Sequence, residues 1–197
     1  MMGVEGYSPV RRMVLGTSSM QPTNVMHTNG DSAPEENASG EVGTAGKILC
    51  CALQSGRFTI LDLESKSTIF TSSTPDGALS SIAHDSNKQL LATGSENGII
   101  SVYDMRTLGT GNPNPLYRCK RNGACIEDMS FAPSKNGAEA DLLLATTDGL
   151  PFRLTLCADG PHVKEELVGH DCDPVRVVQY SNGAVWTAGD DGIVRRY

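Results

Sequence analysis

The sequence predicts an all-β fold, a propeller built from repeated four-stranded antiparallel sheets. Three observations support this. An apolar run meets a tight polar turn and a second apolar run leaves it four times: 48–63 (ILCCALQSGRFTILDL), 90–104 (LLATGSENGIISVYD), 142–156 (LLLATTDGLPFRLTL) and 184–197 (AVWTAGDDGIVRRY). Each turn places a glycine just before the outgoing run, at Gly56, Gly98, Gly149 and Gly192, with intervals of 42, 51 and 43 residues. Recurrence at about 40–45 residues is the period of a propeller blade. No stretch sustains the 3.6-residue periodicity of an amphipathic helix.

Taken in order, residues 1–8 read as a disordered N-terminus and 9–16 (PVRRMVLG) as a strand. Residues 17–46 are rich in Ser, Thr, Asn, Gly and Glu and nearly free of large apolar side chains. Such a segment buries too little surface to offset its conformational entropy, so it reads as a disordered insertion between two strands. The first blade thus spans 9–73, with strands at 47–53, 57–63 and 67–72. The turn Thr74-Pro75-Asp76-Gly77 opens a second blade, 74–121, with strands at 78–84, 89–95, 99–105 and 116–119. A third, 122–168, has strands at 126–132, 141–147, 151–157 and 163–168, with 133–140 as a loop insertion. A fourth, 169–197, has strands at 174–180, 185–188 and 193–197 and lacks its outer strand.

Composition limits the function classes. The 197 residues suffice for one domain with a core. A net charge of −7 disfavours nucleic acid as a general partner, because phosphate contacts need clustered Lys and Arg. The tight basic pairs Lys120-Arg121 and Arg195-Arg196 read as solvated. Met1 to Leu15 holds no continuous apolar run of a secretory leader, and no run reaches membrane-spanning length. A cytoplasmic or nuclear setting is expected, with the six cysteines reduced and mostly buried. The match to a glycosylation sequon at Asn37-Ala38-Ser39 carries no weight there.

No constellation of catalytic residues stands out. There is no H-E-x-x-H, G-x-S-x-G or Walker loop. Gly109-Thr110-Gly111 precedes Asn112-Pro113 and cannot open a helix, so it makes no dinucleotide site. His27, His84, His162 and His170 are scattered. Cys50 and Cys51 are neighbours on one strand and point to opposite faces, as one buried and one partly buried thiol. Trp186 is expected between blades. No cofactor, metal or small-molecule substrate is expected.

The strand–turn–strand units resemble WD40 blades. The second carries Thr93-Gly94-Ser95-Glu96-Asn97-Gly98, with Tyr103-Asp104 where Trp-Asp usually stands. The fourth carries Gly169-His170, Thr187, Asp191 and Tyr197. The resemblance implies a structural tetrad of His170, Thr187, Asp191 and Tyr197 that ties the loop entering the blade to its strands. The first blade has Leu61-Asp62 at the Trp-Asp position and the third has Leu154, so neither keeps the tetrad.

Asp171-Cys172-Asp173-Pro174-Val175 and then Asp191-Gly192-Ile193-Val194-Arg195-Arg196-Tyr197 resemble the C-terminal blade of the proteasomal ATPase-associated factor family, to which the WD40-type assembly chaperone of the proteasome regulatory particle belongs. Only the C-terminal half of that family's seven-bladed ring is matched. The expected architecture is therefore an open arc of about four blades, a fragment whose ends need covering. The resemblance implies binding to the C-terminal domain of a proteasomal ATPase subunit and regulation of regulatory-particle assembly.

In a propeller, the loops entering each blade and the turns between its two middle strands share one face. Here that face collects Asp76, Glu96, Asp148, Asp171, Asp173, Asp190 and Asp191. It is therefore expected to be locally negative and to steer a basic partner. Glu96, Asp148, Asp171, Asp173 and Asp190 are the candidate partner-binding residues. The opposite face carries mixed charge from Asp85, Lys88, Arg106, Lys135, Glu139 and Asp159. Two alternatives are a generic WD40 scaffold and a substrate receptor of a cullin-type ubiquitin ligase. The second rests on Tyr103-Asp104-Met105-Arg106, which resembles the Trp-Asp-x-Arg box of such receptors.

Overall fold

A computed structural model describes residues 8–17, 44–73, 76–108, 114–134 and 140–197. The expectations of disorder for 1–7 and 18–43, the sequon, His27, Thr74-Pro75, the Gly109–Pro113 segment, Lys135 and Glu139 lie outside the described residues. Ser8, expected to be frayed, is anchored: its Oγ accepts a hydrogen bond from the Ser55 amide at 2.8 Å. Residues 17 and 44–46, read as part of the insertion, are among the described residues. Thr17 ends the first strand and pairs with Lys47, and Lys47 N–H donates to Thr44 O at 3.0 Å.

All regular structure among the described residues is β. The strands are β1 (Val10–Thr17), β2 (Lys47–Leu53), β3 (Phe58–Asp62), β4 (Ser67–Thr71), β5 (Leu79–Asp85), β6 (Leu90–Ser95), β7 (Ile99–Asp104), β8 (Tyr117–Lys120), β9 (Ile126–Pro133), β10 (Ala140–Thr146), β11 (Phe152–Cys157), β12 (Gly160–Glu166), β13 (Val175–Ser181), β14 (Ala184–Gly189) and β15 (Val194–Arg196). They form antiparallel sheets in chain order: β1-β2-β3-β4, β5-β6-β7-β8, β9-β10-β11-β12 and β13-β14-β15. These are the four blades of an open arc, the last one strand short. The largest departure from the sequence reading is β12, which begins at Gly160, three residues early. Cys157 pairs directly with Gly160, so the tight turn lets the outer strand start at once.

The second and third strands explain why the apolar runs are continuous. A blade is covered by neighbours on both faces, so its middle strands must be apolar on both. All seven residues of β10 (ADLLLAT) are buried, as are five of the six of β6. Three cores sit between successive blades. Ile48, Cys50, Phe58 and Ile60 meet Leu79, Ile82, Leu91 and Tyr103. Ala92, Ile100 and Val102 meet Met129, Leu142, Leu144 and Phe152. Leu143 and Ala145 meet Val175, Val178 and Val185. Each fully buried Leu or Phe contributes about 1.5–3 kcal/mol.

The recurring turn glycine has a steric cause. Each middle turn lies beneath the link that enters the next blade. A β-carbon added at Gly56 would stand 2.5 Å from Gly77 O, one at Gly98 2.5 Å from Asn122 O, and one at Gly149 2.5 Å from Cys172 Cα. At Gly192 nothing lies within 4 Å.

Candidate protein-interaction surface

The loop entering the fourth blade is held from below by a buried polar cluster. His170 is fully buried. Its Nε2 lies 2.7 Å from Thr187 Oγ1 and its Nδ1 3.1 Å from Asp191 Oδ2. Arg195 Nη1 lies 2.9 Å from the same Nδ1, so this nitrogen faces a carboxylate and a guanidinium together. The Ile193 amide donates to Asp191 Oδ1 at 3.0 Å, and the Arg195 guanidinium pairs with the same carboxylate. These two donors, the amide first, hold the Asp191 carboxyl below its ordinary value.

Tyr197 joins this structure differently from the implied tetrad. Its hydroxyl donates to Val168 O at 3.0 Å and does not reach Thr187 or His170. It clips the entering loop through the backbone. Arg195 fills the vacated place, which corrects its reading as a solvated side chain. It pairs in register with Thr187, so strand alternation points it at the cluster. Arg121 is likewise engaged: it donates to Leu150 O at 2.7 Å and lies 4.8 Å over the Phe152 ring.

Above the cluster, residues 171–173 form a projecting corner. Asp171 and Cys172 both have positive φ, 46° and 69°, and the Asp173 amide closes the turn onto His170 O at 2.8 Å. All three side chains are exposed. The carboxylates of Asp171 and Asp173 make no ion pair or hydrogen bond with the described residues.

The other candidates are engaged within the chain. Glu96 pairs with Arg11 at 2.7 Å. Asp190 takes a two-pronged contact from Arg176, at 2.9 and 2.7 Å, which holds its carboxyl below the ordinary range. Asp148 is partly buried, which raises its carboxyl. Hydrogen bonds from Thr146, Asn122 and the Leu150 amide outweigh that and lower it. Asp76, counted on the sequence as a surface charge, is buried; it accepts from Ser101 Oγ at 2.7 Å and from Arg118 at 3.0 and 3.1 Å. The locally negative face expected from the sequence is therefore compensated at Glu96, Asp76 and Asp190 by Arg11, Arg118 and Arg176. Near the axis Arg11, Arg12 and Arg176 line a cleft of about 620 Å³ together with Glu96 and Glu127. Arg12 reaches from the first blade to Asp128 of the third at 2.8 Å. Among the described acids of this face, Asp171 and Asp173 are those without an ion pair or a side-chain hydrogen bond.

Further corrections concern side chains read as buried or as surface. Cys50 and Cys51 are both buried, whereas Cys119, Cys125 and Cys157 are half-buried and Cys172 is exposed. Trp186, expected between blades, is 40% exposed, on the face of the fourth blade turned away from the third. Sequence reasoning missed Asp141, an acid inside a leucine run. It is wholly buried, accepts from Thr155 Oγ1 at 2.7 Å and pairs with Lys164 at 3.3 Å. On the opposite face Arg106 is exposed and clasps its own neighbour Asp104 at 2.8 and 2.6 Å. Among the described residues no group of three His, Cys, Asp or Glu is placed to hold a metal ion.

Comparison with known proteins agrees with this architecture. Residues 65–104 match the model of the WD domain, G-beta repeat. The designed protein Ika4 superposes with a TM-score of 0.58 at 17% identity, over 76% of this chain and 84% of that one, which is a likeness of fold. Proteasomal ATPase-associated factor 1 of Bos taurus is 32% identical over 84% of this chain, and that of Homo sapiens 31% over the same share. The chicken protein of that name, from Gallus gallus, is 28% identical over 96%. The chain belongs to the proteasomal ATPase-associated factor family. It spans about two fifths of the length of these relatives, 43% of the chicken protein and 38% of the other two. Within this family chain, the match to the repeat model covers β4 to β7, the residues that include Asp76, Ser101 and Tyr103.

Proposed function

We propose that this chain is a non-enzymatic interaction module that docks the C-terminal domain of a proteasomal ATPase subunit and so regulates assembly of the proteasome regulatory particle. The supporting observation is the corner at 171–173. Two carboxylates with no partner among the described residues flank an exposed Cys172, on a loop that His170, Thr187 and Tyr197 hold to the blade. A rigid acidic corner loses little entropy on binding and steers a Lys- or Arg-rich surface to it. The name of the relatives supplies the partner. The ubiquitin-ligase reading gains nothing from the geometry, since the Arg106 guanidinium is already committed to Asp104.

The test is a pull-down of recombinant ATPase subunits with the wild-type chain and with Asp171→Asn plus Asp173→Asn. Asn tolerates positive φ, so the loop geometry is kept while the charge is removed. Loss of capture with an unchanged circular dichroism spectrum supports the assignment. Undiminished capture overturns it.

A further inference from the structure

Where the first and second blades meet, a histidine is wedged between their inner strands. β1 packs on β5, and β5 carries His84 in register with Leu91 of β6. The His84 ring lies against the Gly16 backbone of β1. A β-carbon at Gly16 would stand 2.5 Å from His84 Nδ1 and 2.7 Å from Cε1, so the absence of a side chain there is what admits the ring. Gly16 is itself buried and pairs with Ile48.

The two ring nitrogens are unequally served. Nδ1 lies 3.4 Å from Ser86 Oγ, a long contact. Nε2 is buried and has no hydrogen-bond partner among the described residues. A neutral ring can hold a bare lone pair in that place. The imidazolium carries an N–H on both nitrogens, so protonation puts a donor and a positive charge where no acceptor lies. The charged groups near the ring are Asp85, beside it on β5, and Lys88 in the following turn. Asp85 Oδ1 already accepts the Asn87 and Lys88 amides, at 2.9 and 3.3 Å. The described neighbours from other elements carry no charge: Gly16 on β1, Leu91 on β6, and Phe131 and Pro133 of β9 across a shared cleft of about 410 Å³. Burial holds the ring below its ordinary value of 6.5, with Asp85 opposing.

We propose that His84 is a proton-sensitive latch between the first two blades: neutral, it seats β1 against β5, and protonated, it leaves the junction for the adjoining cleft and β1 loosens. A histidine whose folded value is depressed adds stability that is fully present above the unfolded value of 6.5. That stability is lost as pH falls from there towards the folded value. The sensitive window is therefore mildly acidic, above the range in which ordinary carboxyls titrate. β1 also carries Arg11 and Arg12, so its loosening releases Glu96 of the second blade and Asp128 of the third from their ion pairs. The latch stands apart from the ATPase-docking reading, because it uses no residue of the 171–173 corner.

The experiment is hydrogen–deuterium exchange of the 197-residue chain, read by peptide mass between neutral and mildly acidic pH and corrected for the intrinsic pH dependence of amide exchange. Peptides covering β1 and β5 should lose protection by roughly 3- to 10-fold as pH falls, since one proton sets a ceiling of about tenfold per pH unit. Peptides covering β10 and β11, the buried middle of the third blade, should keep theirs. His84→Phe leaves a ring against Gly16 with nothing to titrate and should abolish the response. His84→Gln is uncharged at every pH and should do the same, which covers the case in which the phenylalanine variant fails to fold. Circular dichroism verifies the fold of each variant. Protection of β1 that stays constant with pH in the wild type, an equal loss in all four blades, or a response that survives the substitution of His84 would each overturn the proposal.

Discussion

Gly149 lies directly against Cys172: a β-carbon at 149 would stand 2.5 Å from the Cys172 Cα. The turn of the third blade and the corner of the fourth are therefore one packed unit, and the acidic corner is positioned by a glycine 23 residues before it.

Gly149→Ala combines a positive φ of 75° with a backbone clash. Gly183, at φ 78°, has open space around it, so alanine there meets the conformational cost alone, about 1 kcal/mol. Urea unfolding should show Gly149→Ala losing clearly more stability than Gly183→Ala. Equal losses would mean that the two loops do not touch.

Thr187→Val removes the hydroxyl hydrogen-bonded to His170 Nε2 and leaves a buried ring nitrogen without a partner. A loss of about 1–3 kcal/mol is expected from chemical denaturation. Adding His170→Phe to that variant should cost less than the same change in the wild type, because the polar partners disappear together. Strict additivity in that cycle would remove the coupling.

The Asp191 carboxyl is held below its ordinary value of 3.8, first by the Ile193 amide and then by the Arg195 guanidinium. A carboxyl depressed by folding adds stability that is fully present above its unfolded value and lost as pH falls through the folded one. Thermal melting should therefore decline below about pH 4, the ordinary range of a carboxyl. Asp191→Asn keeps an acceptor for His170 and should flatten that acid decline. An unchanged acid profile would show that the carboxylate charge is not engaged.

Asp141→Ala leaves Lys164 and the half-buried Arg153 without the carboxylate between them and Thr155 without its acceptor. Breaking a buried pair from one side costs about 3–5 kcal/mol. A large drop in the urea midpoint is expected, and a change under 1 kcal/mol would contradict the buried placement.

The thiols should separate by reactivity. Burial, and then the neighbouring Cys51, push the Cys50 thiol up to about 12, whereas Cys172 projects from the corner. Brief iodoacetamide treatment of the native chain, read by peptide mass, should alkylate Cys172 first and Cys50 last. That adduct should also block ATPase capture, and capture unaffected by full Cys172 labelling would count against the corner as the contact.

The sequence alone determined the strands, their order and the blade repeat. These follow from local chemistry: apolar runs bounded by turn formers, and glycine where the turn needs positive φ. The cluster partners His170, Thr187 and Asp191 were also legible, from resemblance of motif and spacing. Only the tertiary structure decided which charges are free. Glu96 and Arg11 are 85 residues apart, Asp76 and Arg118 42, and nothing local announces that they meet. The tertiary structure likewise placed Arg195 in the cluster, turned Tyr197 to the loop backbone and left Trp186 on an open face. Strand formation is set by neighbours in the chain, whereas charge compensation and burial are set by which blade stands beside which.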